Sequence, residues 1–174
     1  MTRLGARRAG RGSAGVEHGP GAGSLRVGES RFGLGTRIER LETHPGADQL
    51  TVRADYAPQR RFPPVHLHPA QTEVFTVRSG QLTVWWPDGE RVYGAGESFT
   101  VRPGTPHAMR NAGPERAVVD WTVSPARRTP ELFARIFGAR PRPAVVDVLI
   151  FVWTVVLSGR FRSEMRLVRG AGPR

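Results

Sequence analysis

The chain has 174 residues, no cysteine, and 26 basic residues against 15 acidic ones, for a formal net charge of +11. That length allows one domain with a real core plus extensions, and the absence of cysteine excludes disulfides, thiolate metal sites and cysteine nucleophiles. Every basic residue is arginine, which excludes lysine Schiff-base chemistry; beside 21 glycines, so complete a bias reads as genome composition rather than ligand preference.

The charge is unevenly spread. Residues 1–31 carry six arginines and two acids, residues 32–125 ten of each, and residues 126–174 ten arginines and three acids. Residues 1–31 are rich in glycine and arginine and nearly free of large apolar side chains, so a disordered tail is expected. No apolar stretch follows the pair Arg7-Arg8, which argues against export and for a cytoplasmic chain. His18 within this tail reads as a solvated imidazole.

From residue 32 to 125 the texture changes to short strand-like runs: 48–56, 73–79, 81–87, 91–94, 97–103, 107–111 and 116–123. Ser79-Gly80 joins two of them, and residues 87–90 read as a turn with Asp88-Gly89 at its centre. Short strands at near-regular spacing, with no helix between them, predict a mainly β sandwich or barrel.

Beyond Ser124 the pattern is helical. Thr129 is placed as N-cap, Pro130 at the first helical position and Gly138 as the stop. Leu132, Phe133, Ile136 and Phe137 fall on one apolar stripe. Residues 144–159 are then almost wholly apolar. As a membrane span this run is short, and it contains Asp147. As a helix it is apolar all round, which calls for burial against the barrel, a second subunit or a membrane surface. Arg140, Arg142, Arg160 and Arg162 flank it and would suit anionic lipid. A homodimer, or peripheral membrane contact through residues 143–162, is therefore expected of the extension. Nucleic acid is not an expected partner, because no aromatic residues interleave with the basic ones and no binding module is present.

The chemistry concentrates in "HLHPAQTE" and "GESFTVRPGTPHAMRN". On an extended strand His66 and His68 point the same way, and after a bend at residues 69–72 Glu73 can turn inward beside them. The turn at Pro103-Gly104 presents His107, with Met109 and Asn111 on the same face. Three imidazoles and one carboxylate suit a divalent metal ion such as Fe, Mn, Ni or Zn, leaving two positions of an octahedral ion open. His44, before a Pro-Gly turn, reads as a surface loop residue.

These two segments resemble the signature motifs of the cupin superfamily. His66, His68, Glu73 and Gly80 match the first motif, and Gly96, Gly104, His107 and Asn111 match the second. Arg102 stands where the family's proline is expected, with Pro103 directly after it. The resemblance covers roughly residues 40–125 and implies a double-stranded β-helix, the jelly-roll barrel of small single-domain cupins. It also implies that His66, His68, Glu73 and His107 are the metal ligands. A weaker similarity to cupins with a C-terminal helical extension covers the remainder. The expected layout is a tail over 1–31, a barrel over 32–125 and a helical extension over 126–174.

Alternation places Phe75, Val77 and Met109 in the pocket, and one of Trp85 and Trp86 facing in. No catalytic residue is assigned; Glu97 and Asp120 read as solvated strand residues. What the resemblance implies is an oxygen-dependent oxidoreductase of the quercetinase-like dioxygenase type, acting on a small apolar or aromatic substrate. The alternative is a non-catalytic, metal-dependent module that binds a small molecule and whose helical tail mediates oligomerisation or membrane docking. Sugar isomerisation would need an acid-base residue that the sequence does not place.

Overall fold

The computed structural model describes residues 25–41, 48–168, 170 and 172; the expectation of disorder before residue 25 and the readings of His18 and His44 lie outside the described residues. The strands, in chain order, are β1 (Ser30–Gly33), β2 (Thr36–Arg40), β3 (Leu50–Tyr56), β4 (His66–Leu67), β5 (Thr72–Ser79), β6 (Gln81–Trp86), β7 (Gly89–Gly94), β8 (Ser98–Val101), β9 (Ala108–Arg110), β10 (Ala117–Ser124) and β11 (Arg166–Leu167). A six-stranded antiparallel sheet runs β1-β2-β3-β10-β5-β8, a three-stranded sheet runs β7-β6-β9, and β11 pairs with β4. The mainly β jelly-roll architecture expected from the sequence is present, with two helices after it.

Period-two patterning builds the core. Leu50, Val52, Ala54 and Tyr56 of β3 face inward, as do Glu73, Phe75 and Val77 of β5 and Leu82, Val84 and Trp86 of β6. Phe75 stacks on Phe99 at 4.8 Å between centroids, and Trp86 meets Phe99 edge-on at 5.9 Å. Trp85 is half-buried on the other face. Gly80 turns β5 into β6 with φ +71°, and a Cβ there would sit 2.6 Å from the Arg116 carbonyl oxygen, so only glycine fits.

Three local expectations need correction. Residues 25–31 carry structure: Leu25 is fully buried, its carbonyl accepts from Arg40 Nη1 at 2.5 Å, and β1 opens at Ser30. The β1–β2 hairpin, closed through Leu34-Gly35 at positive φ, recruits a segment whose composition alone suggests a tail. The β6–β7 turn is centred one residue early, on Pro87-Asp88, because Trp86 pairs with Gly89. Thr129 is the first residue of helix α1 (Thr129–Ile136) rather than its N-cap, since its hydroxyl accepts from Gln71 Nε2 at 2.8 Å.

The stripe Leu132, Phe133, Ile136 and Phe137 is buried, and Gly138 then bridges to Phe32, tying the end of α1 to β1. Helix α2 (Ala144–Phe151) continues as a π-helical segment, Val152–Leu157. No helix among the described residues is long and apolar enough to cross a membrane. The segment is not covered on every side either. Phe151, Thr154, Val155 and Asp147 are buried, whereas Val145, Val148, Leu149, Trp153 and Leu157 are exposed. Asp147 faces inward because Arg142 Nε and the Leu34 backbone N–H donate to its carboxylate at 2.8 and 2.9 Å.

Candidate metal centre

Four side chains meet at the mouth of the barrel. The antiparallel bridge between His66 and His107 exchanges two backbone hydrogen bonds of 2.9 and 3.0 Å, which sets those imidazoles side by side at 4.4 Å between centroids. The bend after His68 brings Glu73 back on β5. The turn carrying Arg102 still closes: Gly104 N–H donates to the His68 carbonyl at 2.8 Å and Thr105 N–H to the Arg102 carbonyl at 3.1 Å. The loop thus closes with Arg102 at the position of the motif proline. Asn111 locks the far end of the second motif, donating to the Tyr56 and Glu115 carbonyls and accepting from Gly113 N–H.

A ligating nitrogen from each of His66, His68 and His107 lies within 4.8 Å of the others, and Glu73 Oε2 stands 3.3 Å from His68 Nε2 and 3.2 Å from His107 Nε2. Each imidazole has its Nδ1 against a backbone carbonyl: Pro64 for His66 at 3.1 Å, Glu164 for His68 at 2.5 Å and Thr105 for His107 at 3.1 Å. That arrangement places the proton on Nδ1 and turns each Nε2 toward the cluster. Glu73 Oε1 accepts from Trp121 Nε1 at 3.1 Å. His68 Nε2, His107 Nε2 and Glu73 Oε2 are buried without a hydrogen-bond partner. Three orphaned polar atoms in one place are costly unless a cation joins them, so the residues present fit a divalent metal ion.

The electrostatics agree. Loss of solvent, together with the neighbouring imidazoles of His107 and His68, pushes the His66 pKa down to about 3, which keeps that ring neutral and able to ligate. Burial alone would raise Glu73; positive charge on the facing His68 and His107 imidazoles, present when the metal-free cluster takes up protons, outweighs it and draws the carboxyl down to about 2. Burial, reinforced by the Glu73 charge, raises the Tyr56 hydroxyl well above its ordinary range.

Beside the cluster lies a cavity of about 100 Å³, bordered by His66, His107, Phe75 and Met109 from the barrel and by Phe133 and Phe151 from the extension. Of the three side chains placed in the pocket from sequence, Phe75 and Met109 border this cavity. Val77 does not: it is buried in the same row as Glu73 and Phe75 but sits deeper, where Val119 packs across from it. Glu97 is exposed and accepts from Gly94 N–H at 2.6 Å, and Asp120 pairs with Arg53 and Arg78, so neither reaches the cluster.

Four contributors escape sequence reasoning. Trp121 orients Glu73, Tyr56 and Gln59 give the cavity polar edges, and the Glu164 carbonyl orients His68. Trp121 lies on an alternating strand with nothing local to mark Glu73 as its partner, and a backbone carbonyl leaves no signal in sequence.

The cupin domain family model matches residues 52–123. Germin-like protein 1-1 of Oryza sativa subsp. japonica is 32% identical over 139 residues, covering 74% of this chain and 63% of that protein. Oxalate oxidase GF-2.8 of Triticum aestivum is 31% identical over 159 residues, covering 82% and 66%. The chain spans only part of such relatives, 41% in the case of the rice germin-like protein 3-8. Among solved structures, an RmlC-like cupin from Shewanella frigidimarina is 25% identical with a TM-score of 0.49, covering 60% of this chain and 93% of that one. Matched by the cupin domain model over residues 52–123 and folded there as a jelly roll about both motifs, the chain carries a cupin-type domain, followed by two helices.

Proposed function

We propose that the protein is a metal-dependent, oxygen-using oxidoreductase acting on a small, neutral, apolar or aromatic compound. The observation that carries this reading is the cavity against His66 and His107, whose described lining contains neither arginine nor acid. A divalent ion would be held by His66, His68, Glu73 and His107 and would supply Lewis-acid or oxygen-activating chemistry. The remaining work falls to the chain itself. The aromatic rings exclude water, and the Tyr56 hydroxyl, which now faces Met109 Sδ at 3.8 Å, with the Gln59 amide, can orient a substrate oxygen.

The volume bounds the substrate. A dry cavity of roughly 150 Å³ accepts benzene, so about 100 Å³ favours a single ring or less. A multi-ring flavonol would require the helical roof to shift. The wheat relative is named for oxalate, but that dianion would meet no cationic side chain in this lining. A second reading, a metal-dependent binding module without turnover, draws on a described lining that offers no carboxylate or histidine as general base beyond the residues that would hold the metal.

Protein loaded with Fe(II), Mn(II) or Ni(II), its metal content measured by mass spectrometry, should consume oxygen with monocyclic phenols and catechols. His66→Ala should abolish the uptake. Phenol-induced thermal stabilisation without oxygen uptake would favour the binding module, and neither response would remove both readings.

A further inference from the structure

We propose that the outer face of α2 and its π-helical continuation docks on an anionic phospholipid bilayer, with the helix lying in the plane of the interface. The face is built the wrong way round for a surface helix. Val145, Val148, Leu149, Trp153 and Leu157 follow one another along a single exposed stripe, four of them about two-thirds exposed. The polar residues Asp147 and Thr154 are on the buried side. A stripe this apolar on a solvated surface marks a contact site. The 14 residues from Ala144 to Leu157 span about 21 Å, too short to cross a bilayer and long enough to lie along one.

The charge selects the occupant. Residues 126–168 contain eight arginines and three acids. Each acid is already engaged: Glu131 by Arg128 and Arg160, Asp147 by Arg142, and Glu164 is buried with Ser163. Arg140 and Arg162, at either end of the stripe, are exposed and form no ion pair among the described residues. Two copies meeting through this face would bring two cationic extensions together with no carboxylate to spare. An anionic headgroup layer supplies both what the stripe and what its arginine ends require.

The opposite side of the same segment makes the surface more than an anchor. Phe151 of this segment lines the cavity beside the histidine cluster, together with Met165 further along the chain, Phe133 and Ile136 of α1, and Phe137 at its end. One layer of helix therefore separates the bilayer from the pocket. A lipophilic substrate dissolved in the membrane would enter beneath that layer, a consequence that rests on the apolar-substrate reading above; the docking itself does not.

The test uses the full chain and sedimentation with vesicles of phosphatidylcholine, alone or with about one-third phosphatidylglycerol. Binding should be at least about tenfold tighter to the anionic vesicles and should weaken as salt rises. The double variant Leu149→Ser, Trp153→Ser and the double variant Arg140→Gln, Arg162→Gln should each lose about tenfold, with melting temperature and metal content unchanged. Failure to bind anionic vesicles at low salt would overturn the proposal. So would binding that survives both variants, or light scattering showing a dimer that Leu149→Ser, Trp153→Ser dissociates. Oxygen uptake plays no part in these readouts, so failure here leaves the oxidoreductase reading standing.

Discussion

The barrel and the helical extension obey opposite rules. In the barrel, apolar residues face in and charged ones face out, except at the mouth, where the buried imidazoles of His68 and His107 and the buried carboxylate of Glu73 meet the half-buried His66, and three of these atoms lack partners. In α2 an aspartate is buried, fully paired with Arg142 and Leu34, while valine, leucine and tryptophan face water. The buried polar groups of the barrel hold unpaired atoms that a cation would join, and the exposed apolar groups of the extension face solvent where a contact surface would cover them. Each anomaly points to something the chain binds. The two regions also share a seam. β11 of the extension pairs with β4, which carries His66, and the Glu164 carbonyl holds His68.

The largest expected effect is on the barrel side. His107→Ala removes a buried imidazole of the proposed metal centre that stands 3.2 Å from Glu73, and metal affinity, measured by competition with a chromogenic chelator, should fall more than about hundredfold. Circular dichroism should retain the β spectrum. Unchanged affinity would mean that the cluster is not the metal centre.

The seam comes next. If the extension orients His68, metal binding and docking of residues 160–168 are linked, and the linkage is reciprocal. In the full chain, saturating metal should slow amide exchange of Met165 and Val168, which donate to Phe161 and Val65, by about 10- to 100-fold, the usual range for an outer-shell partner. Exchange indifferent to metal would make the two regions independent neighbours.

Much of the barrel was legible because strand alternation is local. His66 and His68 share a face whatever the rest of the chain does, and the glycines at 80 and 104 announce turns that the structure places at positive φ. Trp121 was not legible as a partner of Glu73. That contact depends on β10 pairing with β5 in a register bringing Trp121 opposite Phe75 and Val123 opposite Glu73, across more than 40 residues. Val77 shows the limit of alternation: the pattern gives the face, not the depth along the barrel. In α2 the sequence is apolar around the whole circumference, so nothing in its period tells which side packs. Asp147 decides it, through the Leu34 backbone N–H supplied by a hairpin 113 residues away.

A pH titration sharpens the barrel side. Unfolded, His66 takes up a proton near 6.5; folded, only near 3. Between those values the unfolded chain binds more protons, so stability contributed by the neutral ring is complete above pH 6.5 and is lost as pH falls toward 3. Glu73 adds a loss in the same direction between 4.5 and about 2. The melting temperature of chelator-treated protein should therefore fall on acidification through this window, with a shallower slope in His66→Gln.

The smallest expected effect tests the extension. Leu149 is 64% exposed and Phe151, two residues along, is 7% exposed. Leu149→Ser removes apolar surface that the folded chain leaves in water, so little transfer free energy is lost and stability should stay within about 0.5 kcal/mol. Phe151→Ala opens a hole in the cavity wall, and about 3–5 kcal/mol is expected for that change. A loss above about 2 kcal/mol in Leu149→Ser, measured by thermal melting without lipid, would place Leu149 in a buried interface in solution. The contrast between a satisfied inner face and an uncovered outer one would then disappear, because both faces would already be packed.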